Sequence, residues 1–175
     1  MYDSIGQLIN IGYFESGKML QTGDTSDFRM QYVDYKSIHL LLPIKWSINY
    51  NYKGALLVAG KPGTGGKNSI PVDVTLSNID TLKGETLDMY MNENLSGLQK
   101  DGRVVKVIEK NTYLLNNREV AKLIFASKYS DRDAEVAVYC ILNEKAIYTI
   151  TCITPMNEFP FYKEVFQNII KSFTP

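Results

Sequence analysis

Cysteine and histidine are scarce in this chain of 175 residues: Cys140, Cys152 and a single His39. Two thiols cannot frame a disulfide scaffold or a Cys-rich zinc site, and one imidazole cannot build a His-based one. No Cys–His nucleophile pair is indicated either. Charge of one sign is also missing, with 19 Lys and Arg against 19 Asp and Glu. A neutral total removes the electrostatic case for nucleic acid or an anionic membrane as the main partner. No apolar run approaches the roughly 18 residues of a membrane span. The opening Met1-Tyr2-Asp3-Ser4-Ile5 has neither a basic nor an apolar signal region, so the cytoplasm is the expected compartment unless a signal was removed upstream.

What is present suits a globular domain. The hydrophobic fraction is 45%, and a chain of this length buries about 70% of its unfolded surface, so one domain is expected. Residues 1–27 carry few periodic apolar positions and read as a short helix with a loop, or as a tether. From 28 to 175 the pattern tightens into a domain. Met30–Val33 and Ser37–Leu42 read as strands joined by Asp34-Tyr35-Lys36, and Leu56–Ala59 and Val72–Leu76 as two more around the loop Gly60–Pro71. Thr86 is the predicted N-cap of a helix placing Leu87, Tyr90, Met91, Leu95 and Leu98 on one face, ending at Gly97 or Gly102. Val104–Ile108, Tyr113–Leu115, a turn at Asn116-Asn117 and a long strand Glu119–Ser127 follow.

The end of the chain is its most informative part. Val136–Leu142 and Ala146–Ile153 read as a hairpin around Asn143-Glu144-Lys145. Val136, Val138, Cys140 and Leu142 point one way and Ala137, Tyr139 and Ile141 the other. Neither side is polar, so a layer is expected on both faces of the sheet. Tyr162, Val165, Phe166, Ile169, Ile170 and Phe173 then recur at helical spacing. A turn at Asn143-Glu144 would set Leu142 opposite Lys145 and Cys140 opposite Ile147. Cys152 would then lie roughly 17 Å along the strand from Cys140, beyond disulfide reach. Both thiols are expected to be free and buried. The class is α+β with a mainly antiparallel sheet.

The order of these pieces resembles the PsbP-like superfamily. The matching residues are Tyr32-Val33-Asp34 leading into Ser37-Ile38-His39-Leu40-Leu41-Leu42-Pro43-Ile44-Lys45-Trp46, then Thr86-Leu87-Asp88-Met89-Tyr90 and Asn117-Arg118-Glu119-Val120-Ala121. Ala146-Ile147-Tyr148-Thr149-Ile150-Thr151 and the closing Ile170-Lys171-Ser172-Phe173 complete the set. The resemblance spans roughly residues 30 to 174 and implies an α/β/α sandwich around an antiparallel sheet. It implies accessory or binding proteins without catalytic residues, and an extracytoplasmic location if an upstream signal was removed. The chain departs from bacterial members in lacking a lipobox cysteine, and its leader is unmatched.

The sharpest chemical motif is Gly60–Lys67 with Asn68 and Ser69, which follows a strand as a Walker A loop does. Gly60 and Gly65 have the required spacing, but Gly66 stands at the lysine position and Lys67 at the hydroxyl position. Ile70-Pro71-Val72-Asp73-Val74-Thr75 then reads as a strand where a phosphate loop must open a helix. His39, between Ile38 and Leu40, reads as a strand residue, and Asp131, Asp133 and Glu135 as a solvated turn without the EF-hand Gly and Glu. Tyrosine is the excess residue, twelve in all. Tyr50 and Tyr52, flanking Asn51 beside a strand end, are the candidate contact surface, because amphipathic rings suit interfaces. The expectation is therefore a non-enzymatic accessory or interaction domain with an unidentified protein partner, no catalytic residue, no cofactor and no metal. The alternative is a small-ligand or nucleotide binder using Gly60–Lys67.

Overall fold

The computed structural model describes residues 10–15, 18–24, 29–66, 69–80, 86–129, 131–143 and 146–175, with backbone alone for 10–24 and 80. Hairpin β1 (Asn10–Glu15) and β2 (Lys18–Asp24) lies where the sequence suggested a short helix or tether. Residues 1–9, 16–17 and 25–27 of that leader, and residue 28 after it, are outside the described residues. A second hairpin pairs β3 (Met30–Tyr35) with β4 (Ile38–Pro43). Then come β5 (Ser47–Tyr52), β6 (Ala55–Gly60), β7 (Asp73–Asp80), α1 (Leu87–Lys100) and β8 (Lys106–Leu115). The chain closes with β9 (Arg118–Tyr129), β10 (Arg132–Asn143), β11 (Ala146–Pro155) and α2 (Phe159–Ser172).

Seven strands form one antiparallel sheet in the order β5-β6-β7-β11-β10-β9-β8. The last hairpin is central, as its lack of a polar side requires. Its register differs from the expected one: Leu142 opposes Ile147, Cys140 opposes Thr149 and Cys152 opposes Ala137. The pairing closes with Asn143 opposite Ala146, residues 144–145 lie outside the described residues, and Leu142 and Ile147 share the cluster beneath α1. Cys140 belongs to that cluster and Cys152 to the one on the opposite face. Both thiols are free and buried, kept apart by the sheet itself. Two further expectations are corrected. Lys106–Ile108 of the first expected strand and Tyr113–Leu115 belong to a single strand, β8, which leaves Val104 and Val105 outside it and whose bulge between Val107 and Glu109 breaks the alternation. Strand β5 was not anticipated, because Ser-Ile-Asn-Tyr-Asn-Tyr reads as polar.

Each face carries a helix. Thr86 caps α1 by accepting from the Met89 amide, and Leu87 and Met91 seal it onto β9 and β10. The helix ends where Gly102 takes φ +68° and the Arg103 amide returns to Leu98 C=O, a left-handed turn that suits glycine. On the opposite face α2 buries Tyr162, Val165, Phe166, Ile169 and Ile170, together with Phe159 and Phe161, which the helical pattern had not included. Lys163, Glu164 and Lys171 face water, and Asn168 is half-buried. Each buried Phe or Ile contributes about 1.5–3 kcal/mol.

The β3–β4 hairpin shares this face with α2 and supplies Val33, Ile38, Leu40 and Leu42 to the same core. Ser172 pins the helix end: its hydroxyl donates to Ile169 C=O and accepts from the Leu41 amide, both at 2.8 Å. His39 and Thr174 exchange both backbone hydrogen bonds at 2.8 Å, and Phe173 rests against Tyr148 with ring centroids 5.4 Å apart. Trp46 is buried at the entry to β5, 6.5 Å from the Tyr162 ring.

Candidate interaction surface

Among the described residues β5 is the outer strand at one side of the sheet, paired only with β6. The pairing places Ile48 opposite Ala59, Tyr50 opposite Leu57 and Tyr52 opposite Ala55. Opposed residues share a face, and Leu57 and Ala59 belong to the core under α2. Tyr50 and Tyr52 thus extend that apolar face outward until it meets water, with 44% and 47% of their surface exposed. The structure brings a third ring to them. Tyr35, at the tip of the β3–β4 hairpin, stacks on Tyr50 with centroids 4.5 Å apart and planes 27° from parallel. Lys36 and Lys53 each hold an ammonium 5.1 Å from a ring centroid, Lys36 over Tyr35 and Lys53 over Tyr52. Tyr32, on the same hairpin, is 79% exposed. Stacked rings and adjacent cations each contribute about 0.5–1.5 kcal/mol, so the cluster is preorganised rather than loose.

The backbone at this edge has its own geometry. Lys53 and Gly54 take φ +50° and +85°, a two-residue mirror-image turn that matches strand twist. In such a hairpin the pair flanking the turn exchanges hydrogen bonds and alternate pairs follow suit. Tyr52, Tyr50 and Ile48 therefore bond to β6, while the N–H and C=O of Ser47 and Asn49 point away from it. Asn51 adopts φ +52° and is skipped in the register, so the regular edge runs from Ser47 to Tyr50.

The glycine loop is occupied with itself. Lys61 donates from its backbone to Val72 C=O at 2.9 Å and from its ammonium to the Tyr162 hydroxyl at 2.7 Å. Thr64 Oγ1 donates to Lys61 C=O and accepts from the Val72 amide, at 2.8 and 3.1 Å. Ser69 Oγ accepts from the Gly66 amide at 2.9 Å. The loop leads into β7, with no helix N-terminus behind it. Lys67 and Asn68 lie outside the described residues. A cavity of about 700 Å³ adjoins the loop, and among the described residues its charged lining is Asp131, Asp133 and Glu158 with Arg132. That described lining offers a phosphate little attraction. A second hollow of about 690 Å³ beside α1 is walled by Met91, Leu98, Leu123, Phe125, Val136 and Val138.

The other candidates are dispersed. His39 Nδ1 lies 2.6 Å from Asp34 Oδ1, with both groups more than half exposed, so the pair sits in water. Asp133 pairs with Lys128 at 2.7 Å. Among the described residues no three His, Cys, Asp or Glu side chains converge as metal ligands. Burial pushes the Asp73 carboxyl up to about 6 and the Cys140 thiol up to about 11, and it raises Cys152 well above the usual range, with Asp73 adding to that rise. These thiols are therefore protonated and inert. No helix among the described residues is long and apolar enough to cross a membrane.

No protein-family model matches the chain, and no curated protein matches it in sequence. Solved structures do match it in shape. Cyanobacterial PsbP from Synechocystis superposes with a TM-score of 0.60 at 14% identity, covering 83% of this chain and 91% of its own. LpqN of Mycobacterium tuberculosis, involved in cell envelope biogenesis, gives 0.58 at 13% identity, with 84% and 91% covered. The Ran-binding protein Mog1p of Saccharomyces cerevisiae gives 0.55 at 10% identity, with 83% and 95% covered. The chain has the PsbP-like α+β fold that these structures share. The sandwich expected from the order of its elements is the one observed.

Proposed function

We propose that this chain is a non-enzymatic protein-interaction domain, and that Tyr35, Tyr50 and Tyr52 form the centre of its contact surface. The observation that carries this reading is the exposed tyrosine stack on a free sheet edge. Isolated exposed apolar residues need no explanation, but stacked rings backed by a rigid core lose little entropy on binding. Tyrosine is also among the residues that dominate binding energy when buried by a partner. Similarity in fold to a Ran-binding protein supports the same class of role. A nucleotide-binding role has weaker support, because the described polar groups of the loop are engaged internally and its segment leads into a strand rather than a helix.

A photocrosslinking residue placed at Tyr50, and separately at Leu114 on the opposite edge, tests the reading in the native cell. Discrete protein adducts from position 50 and none from 114 are expected. Equal labelling from both positions, or none from 50, would remove the surface from consideration.

A further inference from the structure

We propose that the free edge of β5 takes up an extended, acidic segment of a partner protein as an eighth strand of the sheet. The added strand bonds to the outward groups of Ser47 and Asn49, lays its alternate side chains on Tyr50 and Tyr52, and pairs its carboxylates with Lys36 and Lys53. This rests on the interaction reading above and specifies its partner.

Three observations converge on that occupant. The first is backbone supply. Among the described residues nothing pairs with the outer side of Ser47–Tyr50, so two N–H and two C=O groups stand ready for a ladder. The second is the missing protection. Sheet edges in soluble proteins are usually blunted by inward charges, prolines or cover, yet Ser47-Ile48-Asn49-Tyr50-Asn51-Tyr52 carries no charge or proline, and no described strand pairs with its outer side. The third is charge. Lys36 and Lys53 hold their ammonium groups over the rings of Tyr35 and Tyr52, beside a strand that carries no charge of its own. Two cations flanking an uncharged strand select a segment bearing carboxylates.

The same features argue against other occupants. A second copy of the chain would bring Lys36 and Lys53 against their own kind. Nucleic acid would use the rings and cations but has no use for a main-chain ladder.

Fluorescence anisotropy with two labelled, end-blocked hexapeptides tests the proposal: alternating Glu-Val and alternating Lys-Val. The Glu-Val peptide should bind and weaken as salt rises, whereas the Lys-Val peptide should not bind. Asn49→Pro removes one outward N–H without touching the β6 ladder and should weaken binding about tenfold, as should N-methylation of the peptide on the amides facing β5. The N-methyl peptide leaves the protein unaltered, so a folding defect in Asn49→Pro cannot obscure the result. Lys36→Glu combined with Lys53→Glu should reverse the preference to Lys-Val. Equal binding of the two peptides, no binding of either, or indifference to N-methylation would overturn the proposal. So would a concentration-dependent dimer abolished by Lys53→Glu, or a stronger response to a thymidine oligonucleotide. If adducts still form from position 50 while every peptide fails, the interaction domain stands and strand addition falls.

Discussion

The two edges of the seven-stranded sheet are built on opposite plans. At one end, β8 runs ten residues, carries Lys106, Glu109 and Lys110, and is bent by a bulge between Val107 and Glu109. Two of these three charges are held in place: Lys110 reaches Asp88 on α1 at 3.0 Å and Glu109 accepts from Lys122 at 2.7 Å. At the other end, β5 has six residues, no charge and two half-exposed tyrosines. Both edges expose apolar side chains, since Leu114 on β8 is 75% exposed. Exposure alone therefore does not separate them. Charge, bulge and ion pairing make β8 a poor template for another strand, while β5 keeps its ladder groups accessible. The difference teaches that this sheet has one guarded edge and one left unpaired among the described residues, and the tyrosines sit on the unpaired one.

Both edges hang on one core, and the largest expected effect tests that premise. Phe166 is buried between Phe159 and Tyr162, with ring centroids 6.1 Å away in each case. Phe166→Ala should cost about 3–5 kcal/mol, a large part of the roughly 5–15 kcal/mol that keeps a domain folded. Urea unfolding should show one transition at a lower midpoint. Two transitions would mean that the β5 and β8 halves fold separately, and the comparison would then be between two units.

Asp73 sharpens the contrast from within, because it lies beside Gly60 near the β5 side. Burial raises its folded pKa to about 6 from 3.8, so between those values the folded state holds more protons than the unfolded one. Its contribution to stability is thus fullest below about pH 4 and is lost as pH rises through 6. Asp73→Asn should flatten that dependence and raise stability at pH 7 by up to about 3 kcal/mol. Chemical denaturation across pH 4–8 checks this, and an unchanged slope would show the carboxyl to be well solvated.

The guarded edge should respond more mildly. Glu109→Gln deprives the largely buried Lys122 ammonium of its carboxylate and should cost about 1–2 kcal/mol. It should not create affinity at β8, since the bulge remains; new peptide binding there would make charge, not backbone geometry, the decisive guard. Smallest of all, Lys163→Ala on the water side of α2 should stay within about 0.5 kcal/mol of the parent. A Lys163 effect matching that of Phe166→Ala would mean that α2 is not docked by its apolar face.

Much of this architecture could be read from residue order, for identifiable reasons. The central hairpin and α2 declared themselves because apolar side chains recur there at a clear period, and Thr86 marked the start of α1 by its capping chemistry. Where a period is interrupted the reading failed. The bulge in β8 hid one strand inside two, and the polar alternation of β5 hid it altogether. The hairpin register was misplaced by two residues, because Leu142 and Ile147 must share a cluster that only the folded sheet reveals. Tyr50 and Tyr52 were legible as projecting rings. Tyr35, which stacks on Tyr50, was not, since its contact spans two hairpins and leaves no local pattern.

Residue-resolved amide exchange offers the most direct measurement of the claim that β5 is the available edge. With the Glu-Val hexapeptide at saturation, the amides of Ser47 and Asn49 should gain protection, while those along β8 from Lys106 to Leu115 should exchange as before. Protection spread equally over both edges, or absent from Ser47 and Asn49, would contradict the account.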